Sequence, residues 1–408
     1  MKYGIVVYKE TDNIGDDVQV YAAAQFLPQI DVVMDREHIG EVESDEPIAA
    51  VMNGWWLHRK WNWPPANCIR PLFVAFHYAN FVRSQFYGKY VKTEFLTGPG
   101  LDYLKAWGPI GCRDINTQEL LTDLGVEQYF SGCMTLTLPQ MPRVKVDKPY
   151  VCFVDLNPRA QEPLMEKARQ EGVEIREMTH AIQAYADDVT WEERSQKVEE
   201  LLTVYQNASC VVTSRLHCAL PCLALGTPVL LVRHDLDNIR FQPYTDWMHT
   251  ATVQDALDGK IDYSFIAPPA NSGAHLPTRN RLIETVKDFV ANAPAMEEKY
   301  RLEEIDRLRW QHKVMRERLE ENLQAYTVDV IRYEKEIKHQ QLRINRLEKV
   351  VEELRAARQK AVSEAKKAAK PAKPAKPAKP AAAKKPAQKP TLLDRIKRFL
   401  KGVKRRLG

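Results

Sequence analysis

The sequence predicts an α/β protein with two parallel-sheet domains and a long C-terminal helix. Short apolar runs alternate with helical segments through residues 1–295, a pattern typical of βαβ units and parallel sheets with right-handed crossovers. A proline-bearing stretch at 139–149 divides this alternation into two halves, and heptads of apolar residues follow the second half. We therefore expect Rossmann-like domains over 1–142 and 143–295 and a coiled coil over 296–362.

The first domain is predicted to begin with a strand at 4–8, a polar turn at 11–17 and a helix at 18–26 that ends before Pro28. Its remaining elements are predicted to be strands at 30–34, 48–52, 72–76 and 110–113, a helix at 117–124 and a last strand at 133–138. The second domain is predicted to contain strands at 150–155, 173–178, 210–212 and 229–232, and helices at 163–170, at 191–205 and between Arg215 and Gly226.

A cation and an imidazole follow the buried strand at 210–212, in the segment that ends with Arg215, Leu216 and His217. The carboxyl ends of parallel strands are where open α/β sheets bind ligands. The ring of Pro221 opposes the carbonyl of His217, so the next helix begins close to His217 or is kinked beside it. We predict that Arg215 and His217 face a crevice between the domains. The alternative is that Arg215 pairs with a structural carboxylate while His217 caps the sheet edge.

The polar turn at 11–17 is predicted to face the same crevice from the first domain. One interpretation is that the backbone amide of Gly15 holds an anion while Asn13 offers its side-chain amide to the substrate. The other is that the acidic side chains of this turn are ordinary helix caps. In either case we expect Asp16 to contact a sugar hydroxyl or a cationic side chain rather than phosphate.

Further candidate substrate contacts are aromatic or lie where strands end. Flat indole rings can stack on sugars, so Trp55 and Trp56 are candidate acceptor contacts, the alternative being that they pack beneath a long loop. His77 and His180 are further candidates because they lie at strand exits. Arg113 is another, the alternative being an internal salt bridge with Asp114. Arg240 is a candidate second anion contact, the alternative being a solvent-exposed side chain.

Charge and cysteine usage restrict the class of protein. Residues 366–408 hold 16 Lys and Arg and one acid, so the rest of the chain carries about −10 of the overall charge of +5. Such an acidic body argues against nucleic acid as a partner of the fold. The seven cysteines are odd in number, lie mostly in apolar runs and form no CxxC pair, which favours a reducing cytoplasm and no metal site. No apolar run is long enough to span a bilayer, and no signal peptide is recognisable.

The C-terminal region is predicted to have three parts. Heptads over 296–362 favour self-association as a coiled coil, against an alternative in which the helix folds back on its own domains. A Lys-Pro-Ala repeat over 363–390 predicts a disordered linker. Apolar residues at helical spacing flanked by cations over 391–408 predict an amphipathic basic helix on an anionic membrane surface, with nucleic acid or a protein partner as alternatives.

Five groups of residues resemble, in their order, the polysaccharide pyruvyl transferase family. They are Asn13-Ile14-Gly15-Asp16 with Gln19 and Ala22, Asn53-Gly54-Trp55-Trp56, Arg113-Asp114 with Thr117, Ser131-Gly132-Cys133-Met134-Thr135-Leu136-Thr137-Leu138, and Ser214-Arg215-Leu216-His217 ending in Gly226-Thr227-Pro228. The resemblance covers about residues 1–250 and adds Asn53 to the candidate substrate contacts. Cys218 departs from the family pattern, which more often has glycine there.

The resemblance implies a fold similar to GT-B glycosyltransferases and transfer of a pyruvyl group from phosphoenolpyruvate to a sugar, forming a ketal. His217 is then the candidate general acid and Arg215 the clamp for phosphate or carboxylate. The acceptor would be a glycan or lipid-linked saccharide at the inner face of the membrane, with no cofactor. Two alternatives stay open: a glycosyltransferase that uses a nucleotide sugar, and a non-catalytic, membrane-tethered scaffold that binds sugar.

Overall fold

The computed structural model describes residues 1–56, 62–78, 81–84, 88–91, 95–186 and 188–368. The chain divides at Val330 into two units, and the first unit contains both α/β domains together with the beginning of the long helix. The predicted helix at 391–408 and most of the predicted linker, from residue 369 onward, lie outside the described residues.

The first domain is built on a six-stranded parallel sheet with the strand order β2-β1-β3-β4-β7-β8. Its strands are β1 (Lys2–Val7), β2 (Val32–Asp35), β3 (Ile48–Trp56), β4 (Ile69–Tyr78), β7 (Ile110–Cys112) and β8 (Gln128–Phe130), and β5 (Phe81–Ser84) and β6 (Gly88–Val91) form a separate antiparallel hairpin. Its helices are α1 (Ile14–Ala24), α2 (Gly98–Ala106) and α3 (Ile115–Asp123). The central strands β3 and β4 are buried on both faces, as expected for a parallel sheet covered by helices.

The second domain contains a five-stranded parallel sheet with the order β10-β9-β11-β12-β13. Its strands are β9 (Tyr150–Val154), β10 (Glu174–Met178), β11 (Cys210–Thr213), β12 (Val229–Arg233) and β13 (His249–Thr252). Its helices are α4 (Pro158–Gln170), α5 (Trp191–Asn207), α6 (Leu216–Leu225), α7 (Val253–Leu257) and α8 (Leu276–Asn292). The prediction of two α/β domains with parallel sheets is confirmed.

Two local predictions for the first domain are wrong. Residues 133–138 form no strand: a 3₁₀ turn at Met134–Thr137 follows Gly132, whose φ of +72° turns the chain out of the sheet. The alternating pattern of this segment suggested a strand, but the segment is buried on all sides and packs between α1 and α6. Helix α1 begins at Ile14 rather than at residue 18, since the side chain of Asn13 caps it.

The two domains are joined through a shared apolar core and a buried ion pair. One cluster of buried residues takes side chains from both domains, including Val18 of α1 and Val51 of β3 in the first domain and Val154 of β9 in the second. Beside it, Arg194 of α5 donates from Nε to the Asp17 carboxylate of α1 at 3.1 Å, and both side chains are buried. These contacts fix the carboxyl ends of the two sheets relative to each other.

The long helix α9 (Glu304–Ala368) begins against the first domain. The Arg307 guanidinium donates to the carbonyl of Gly40, Gln311 donates to the carbonyl of Trp63 at 3.0 Å, and Val314 is buried. The fold-back interpretation thus holds for this part of the predicted coiled coil, and residues 296–303 are not helical. From residue 315 to the end of the described helix, apolar side chains such as Leu347 are exposed.

Among the described residues, no helix has the length and apolar character needed to cross a membrane.

Candidate active site

A cleft of about 790 Å³ opens where the carboxyl ends of the two sheets face each other. Residues that follow strands of both domains line it, and they include the following: Tyr8, Asn13, Asp16, Arg36, Trp55, His77, His180, Ser214, Arg215, His217, Arg233, Asp235, Asn238 and Arg240. The structure therefore brings eight of the twelve predicted site residues to one surface. This is the position at which open α/β sheets bind ligands.

Arg215 is the N-terminal cap residue of α6, and its side chain is 45% exposed in the cleft. Its Nε donates to the Asp155 carboxylate at 3.1 Å, so the pairing proposed as an alternative is formed. Burial raises the pKa of Asp155, but hydrogen bonds from Thr179 and the His180 amide and the Arg215 charge outweigh it, and the net shift is downward. Asp155 thus holds Arg215 while no hydrogen bond to the Arg215 Nη atoms is present in the described part of the chain.

His217 lies in the first turn of α6, almost fully buried, with its ring at the cleft. Its Nε2 is 3.3 Å from Nη1 of Arg113. Because a guanidinium only donates, His217 must accept this hydrogen bond and is therefore neutral. Burial, and then the charges of Arg113 and Arg240, hold the pKa of His217 well below its usual range. With these protein groups alone, His217 is a neutral imidazole and not a general acid.

Arg113 follows β7 and lies directly behind His217, with 1% of its surface exposed. It donates from Nη1 to Oε1 of Gln19 at 2.6 Å, while its buried Nη2 has no hydrogen-bond partner among the residues that the structure describes. The alternative salt bridge with Asp114 is not formed, because that carboxylate binds His77 instead. Within the residues that the structure describes, Arg113 is a buried cation without an ion-pair partner.

Arg240 adds a second cation without a carboxylate partner among the described residues. Its guanidinium lies over the Trp55 ring, 4.6 Å from the centroid, rather than in solvent. Burial, followed by the charge of Arg113, lowers the pKa of Arg240 to about 10, and the side chain remains charged at neutral pH. By contrast, Arg233 at the end of β12 pairs with Asp235 at 2.7 Å. The Asp114 charge acts on both Arg113 and Arg240, but among the described residues neither guanidinium has a carboxylate at ion-pair distance, so positive charge remains around His217.

Two further histidines lie at the cleft, both at strand exits as predicted. Nδ1 of His77, in β4, contacts the Asp114 carboxylate at 2.5 Å. His180, after β10, is bonded through Nε2 to the hydroxyl of Tyr205 at 2.8 Å. Burial lowers the pKa of His77 to about 4 although the Asp114 charge opposes this shift, so His77 is neutral at neutral pH.

The turn before α1 caps the helix instead of forming an amide cradle. The amide of Gly15 donates to Oδ1 of Asn13 at 3.0 Å and is thus already used. A Cβ on Gly15 would lie 3.1 Å from Cβ of His217 and 3.3 Å from Nδ1 of His180, so glycine permits a close approach here. The Asp16 carboxylate accepts from the Thr11 hydroxyl at 2.7 Å. Asn13 and Asp16 still line the cleft.

Four of the twelve predicted site residues do not line the cleft, namely Gly15 and Arg113, described above, and Asn53 and Trp56. Asn53 is buried and donates to the carbonyl of Gln19 at 3.0 Å. Trp56 is 1% exposed and stacks on Phe76 in the core of the first domain, because successive residues of β3 face opposite sides of the sheet. Trp55, its neighbour, is half-buried and does face the cleft.

Several residues of the site were missed by the sequence analysis. Asp114, Asp155, Arg36 and Arg233 all lie at or just after the carboxyl end of a strand, so the rule that identified His77 would have identified them as well. Gln19 belongs to the first group of residues in the family resemblance, but it lies within α1 rather than at a strand exit, and its role as a partner of Arg113 follows only from the fold. Cys218, where the family pattern more often has glycine, is buried in the shared core rather than exposed in the cleft.

No group of three or more His, Cys, Asp or Glu side chains in the described ranges could hold a metal ion.

Comparisons with known proteins find one family and several distant structures. The model of the family described as polysaccharide pyruvyl transferase matches residues 13–235, more than half of the chain. No curated protein sequence matches significantly. A solved structure of an uncharacterized protein from Klebsiella pneumoniae is 15% identical and covers 61% of this chain and 93% of its own, with a TM-score of 0.36.

Two further solved structures are similar at low TM-scores. The complex of MnaA from S. aureus with UDP covers 71% of this chain and 91% of its own, with 10% identity and a TM-score of 0.31. TibC, an iron-containing dodecameric glycosyltransferase from enterotoxigenic E. coli, covers 57% of this chain and 59% of its own, with 14% identity and a TM-score of 0.24.

The different surroundings of the two neighbouring tryptophans predict different effects of their removal. Trp56→Ala should lower the free energy of unfolding by about 3–5 kcal/mol, because it leaves a large cavity in the core. Trp55→Ala should cost about 1–2 kcal/mol, since its ring is only half-buried. Urea denaturation of both variants measures the difference. Equal losses of stability would contradict this assignment of the two side chains.

Proposed function

The chain belongs to the polysaccharide pyruvyl transferase family, and we propose that it transfers the pyruvyl group of phosphoenolpyruvate to two hydroxyls of one sugar, forming a ketal. Membership of the family makes it a transferase that acts on polysaccharide. The donor and the ketal product are the proposed part, and the electrostatics of the cleft support them.

The observation that carries the proposal is that the guanidinium groups of Arg113 and Arg240 act on His217 in a cleft that Arg215 also lines. Arg113 and Arg240 have no ion-pair partner within the described residues, and Arg215 is half-exposed in the same cleft. Burying cations without compensation costs free energy, and an anion that binds between them removes this cost. Phosphoenolpyruvate carries a carboxylate and a phosphate, and a guanidinium can bind either of them through two parallel hydrogen bonds.

His217 is suited to protonate the methylene carbon of the donor once the donor is bound. In the unliganded cleft, burial and the nearby guanidinium charges keep its pKa low. A phosphate and a carboxylate beside the ring favour the imidazolium and oppose that shift. Protonation of His217 is then coupled to donor binding, so the acid is formed only when its substrate is present.

The remainder of the cleft accommodates the acceptor. A volume of about 790 Å³ is typical of small-molecule sites and leaves space for a sugar beside the donor. Asn13, Asp16 and His180 line this space and offer hydrogen-bonding groups to sugar hydroxyls. We assign the acceptor to a glycan or lipid-linked saccharide of a surface or exported polysaccharide.

Removing an unpaired guanidinium should weaken use of the donor. Arg240→Met is expected to lower kcat/KM for phosphoenolpyruvate about 10- to 150-fold, since a hydrogen bond to a charged group is worth about 1.5–3 kcal/mol. His217→Gln should bind the donor but release little phosphate. The measurements are acceptor-dependent phosphate release and calorimetric binding of phosphoenolpyruvate. Arg169→Met, at an exposed site on α4 where Arg169 pairs with Glu162, is the control.

Two results would contradict the donor assignment. One is phosphate release by Arg240→Met or His217→Gln at the rate of the unmodified protein. The other is thermal stabilisation by a nucleotide sugar together with none by phosphoenolpyruvate, which favours the glycosyltransferase alternative. Binding of a glycan without turnover of either donor would favour the scaffold.

The exposed apolar side chains of α9 support self-association with a second copy of the chain. Val330, Ile337, Ile344 and Val351 repeat every seventh residue, and all four are exposed in the single chain. A coiled coil would bury this stripe. In an isolated chain the same branched apolar side chains stay exposed to water, which is unfavourable in free energy.

A charge placed in this stripe should weaken the oligomer. Ile344→Glu is expected to reduce the mass of the particle measured by light scattering after size exclusion, because it buries an unpaired carboxylate. Ala356→Glu, at an exposed position of the same helix outside the stripe, adds the same charge and should leave the mass unchanged. A monomeric unmodified protein would contradict self-association.

Residues 391–408 are proposed to attach the enzyme to the cytoplasmic face of an anionic membrane. Their sequence combines apolar residues at helical spacing with seven Lys and Arg, and each cation near such a surface contributes about 1 kcal/mol. Attachment would place the cleft near lipid-linked acceptors.

Deletion of residues 391–408 should abolish cosedimentation with vesicles that contain phosphatidylglycerol and spare turnover of a soluble acceptor. Vesicles of phosphatidylcholine alone are the control for charge. Unchanged binding of the shortened protein to the anionic vesicles would exclude this role for the segment.

A further inference from the structure

His77 and Asp114 form a buried, fully oriented pair at the cleft. His77 is inaccessible to solvent in β4, and Asp114 caps the N-terminus of α3. Oδ2 of Asp114 contacts Nδ1 of His77 at 2.5 Å, while Oδ1 accepts from the amide of Thr117 at 2.9 Å and from its hydroxyl at 3.0 Å. Both carboxylate oxygens are thus engaged, and the imidazole ring is held in one orientation.

The pair also fixes which nitrogen of His77 carries the proton. Burial raises the pKa of Asp114, but the His77 ring, the Arg113 charge and the Thr117 amide outweigh it and hold the pKa at about 2. An ionised carboxylate only accepts, so Nδ1 of His77 must donate to it. In the neutral ring Nε2 then carries a lone pair. Nε2 is buried and has no hydrogen-bond partner in the described part of the chain, although His77 lines the cleft.

This arrangement is that of a general base held by a carboxylate. A carboxylate on one imidazole nitrogen selects the tautomer and stabilises the imidazolium that forms when the other nitrogen takes a proton. His217 is in the opposite situation, since it faces Arg113 and no carboxylate. Two histidines with such different partners in one cleft are suited to different proton transfers.

We propose that His77 is the general base that deprotonates the acceptor hydroxyls and that Asp114 is its positioning residue, a role that rests on the pyruvyl transfer proposed above. The Trp55 indole lies against the His77 ring with the centroids 4.6 Å apart, so the base is beside an aromatic surface of the cleft. His77 and Trp55 belong to the first domain, whereas Arg215 and His217 come from the second. The acceptor therefore meets a group different from the one that protonates the donor.

The proton balance of ketal formation requires such a base. The methylene carbon of phosphoenolpyruvate gains a proton from His217 as the first sugar oxygen bonds to the central carbon, and His77 takes the proton of that hydroxyl. His77 passes it to the phosphate as the bond between the central carbon and the phosphate oxygen breaks. The second hydroxyl then bonds to the same carbon, and His77 takes its proton and returns it to solvent, from which His217 is reprotonated.

A weakly basic imidazole is sufficient for these transfers. An alcohol that attacks a cationic, oxocarbenium-like carbon becomes a strong acid as the new bond forms. The low pKa of His77, about 4, is therefore no obstacle, and it keeps the ring deprotonated at neutral pH. A bound donor adds negative charge nearby and raises the proton affinity of His77 further.

The first test compares two histidines that each face a carboxylate. His77→Gln should lower kcat about 100-fold or more while the KM for phosphoenolpyruvate changes less than about twofold, since only the proton transfer is lost. Exposed His38 contacts Glu41 at 3.1 Å, and His38→Gln is the matched control with unchanged kcat. Turnover by His77→Gln within about threefold of the unmodified protein overturns the proposal.

The second test separates positioning from a structural role. The charged and titratable groups around His77 are Asp114, which raises its pKa, and Arg113, Arg240 and His217. Asp114→Asn removes the raising charge, so the acid limb of the kcat profile should move to lower pH, where His77 stays deprotonated. An unmoved acid limb overturns the role of Asp114. A shift of the alkaline limb instead would make His77 an acid and overturn the assignment as base.

A measurement on the unmodified protein tests the proposal even if the variants do not fold. Nuclear magnetic resonance of protein labelled with ¹⁵N-histidine should show His77 neutral at pH 7, protonated on Nδ1 and unprotonated on Nε2. A proton on Nε2 overturns the proposal. If phosphate release depends on Arg240 but not on His77, this inference alone fails. If phosphoenolpyruvate gives no acceptor-dependent phosphate release at all, the proposed function fails and the base assignment falls with it.

Discussion

A buried guanidinium without a counter-ion is the constraint on which the site depends. Arg113 is held by Gln19 and has one terminal nitrogen without a partner in the described part of the chain. Its charge acts directly on His217, which accepts its hydrogen bond and whose pKa is held well below the usual range by burial and by this charge. A protein interior tolerates such a charge poorly, so its persistence points to an anion that binds and completes the arrangement.

Three carboxylates in or beside the cleft are paired with side chains other than Arg113. Asp114 binds His77, Asp155 binds Arg215, and Asp235 binds Arg233. Each of these pairs positions a group that faces the cleft, so the acids act as supports for other side chains and leave Arg113 and Arg240 uncompensated. Burial keeps His77 neutral at neutral pH against the opposing charge of Asp114, whereas burial and the charges of Arg113 and Arg240 together keep His217 neutral.

Strand exits were predictable from the sequence, whereas the orientation of individual side chains was not. The alternation of apolar runs and helices identified both sheets, and the rule that ligands bind at the carboxyl ends of strands identified His77, His180, Arg215 and His217. Trp56 could not be separated from Trp55, because the choice of face depends on a register shift in β3 at Gly54 that only the folded sheet defines. The sequence analysis named Gln19 only as part of the family resemblance, and its role could not be predicted, because it comes from a contact with a residue 94 positions away.

The contact that joins the domains is continuous with one wall of the cleft. The amide of Ile14 donates to the carbonyl of His180 at 2.9 Å, and the amide of Ile182 donates to that of Asp12 at 2.8 Å. Because the side chains of His180 and Asp12 also line the cleft, a ligand there touches the junction of the two domains. An anion that binds only the native arrangement stabilises it by mass action, and it neutralises Arg113 in the same step. Binding of an anion in the cleft and the stability of the two-domain unit are therefore expected to increase together, because both depend on the charge of Arg113.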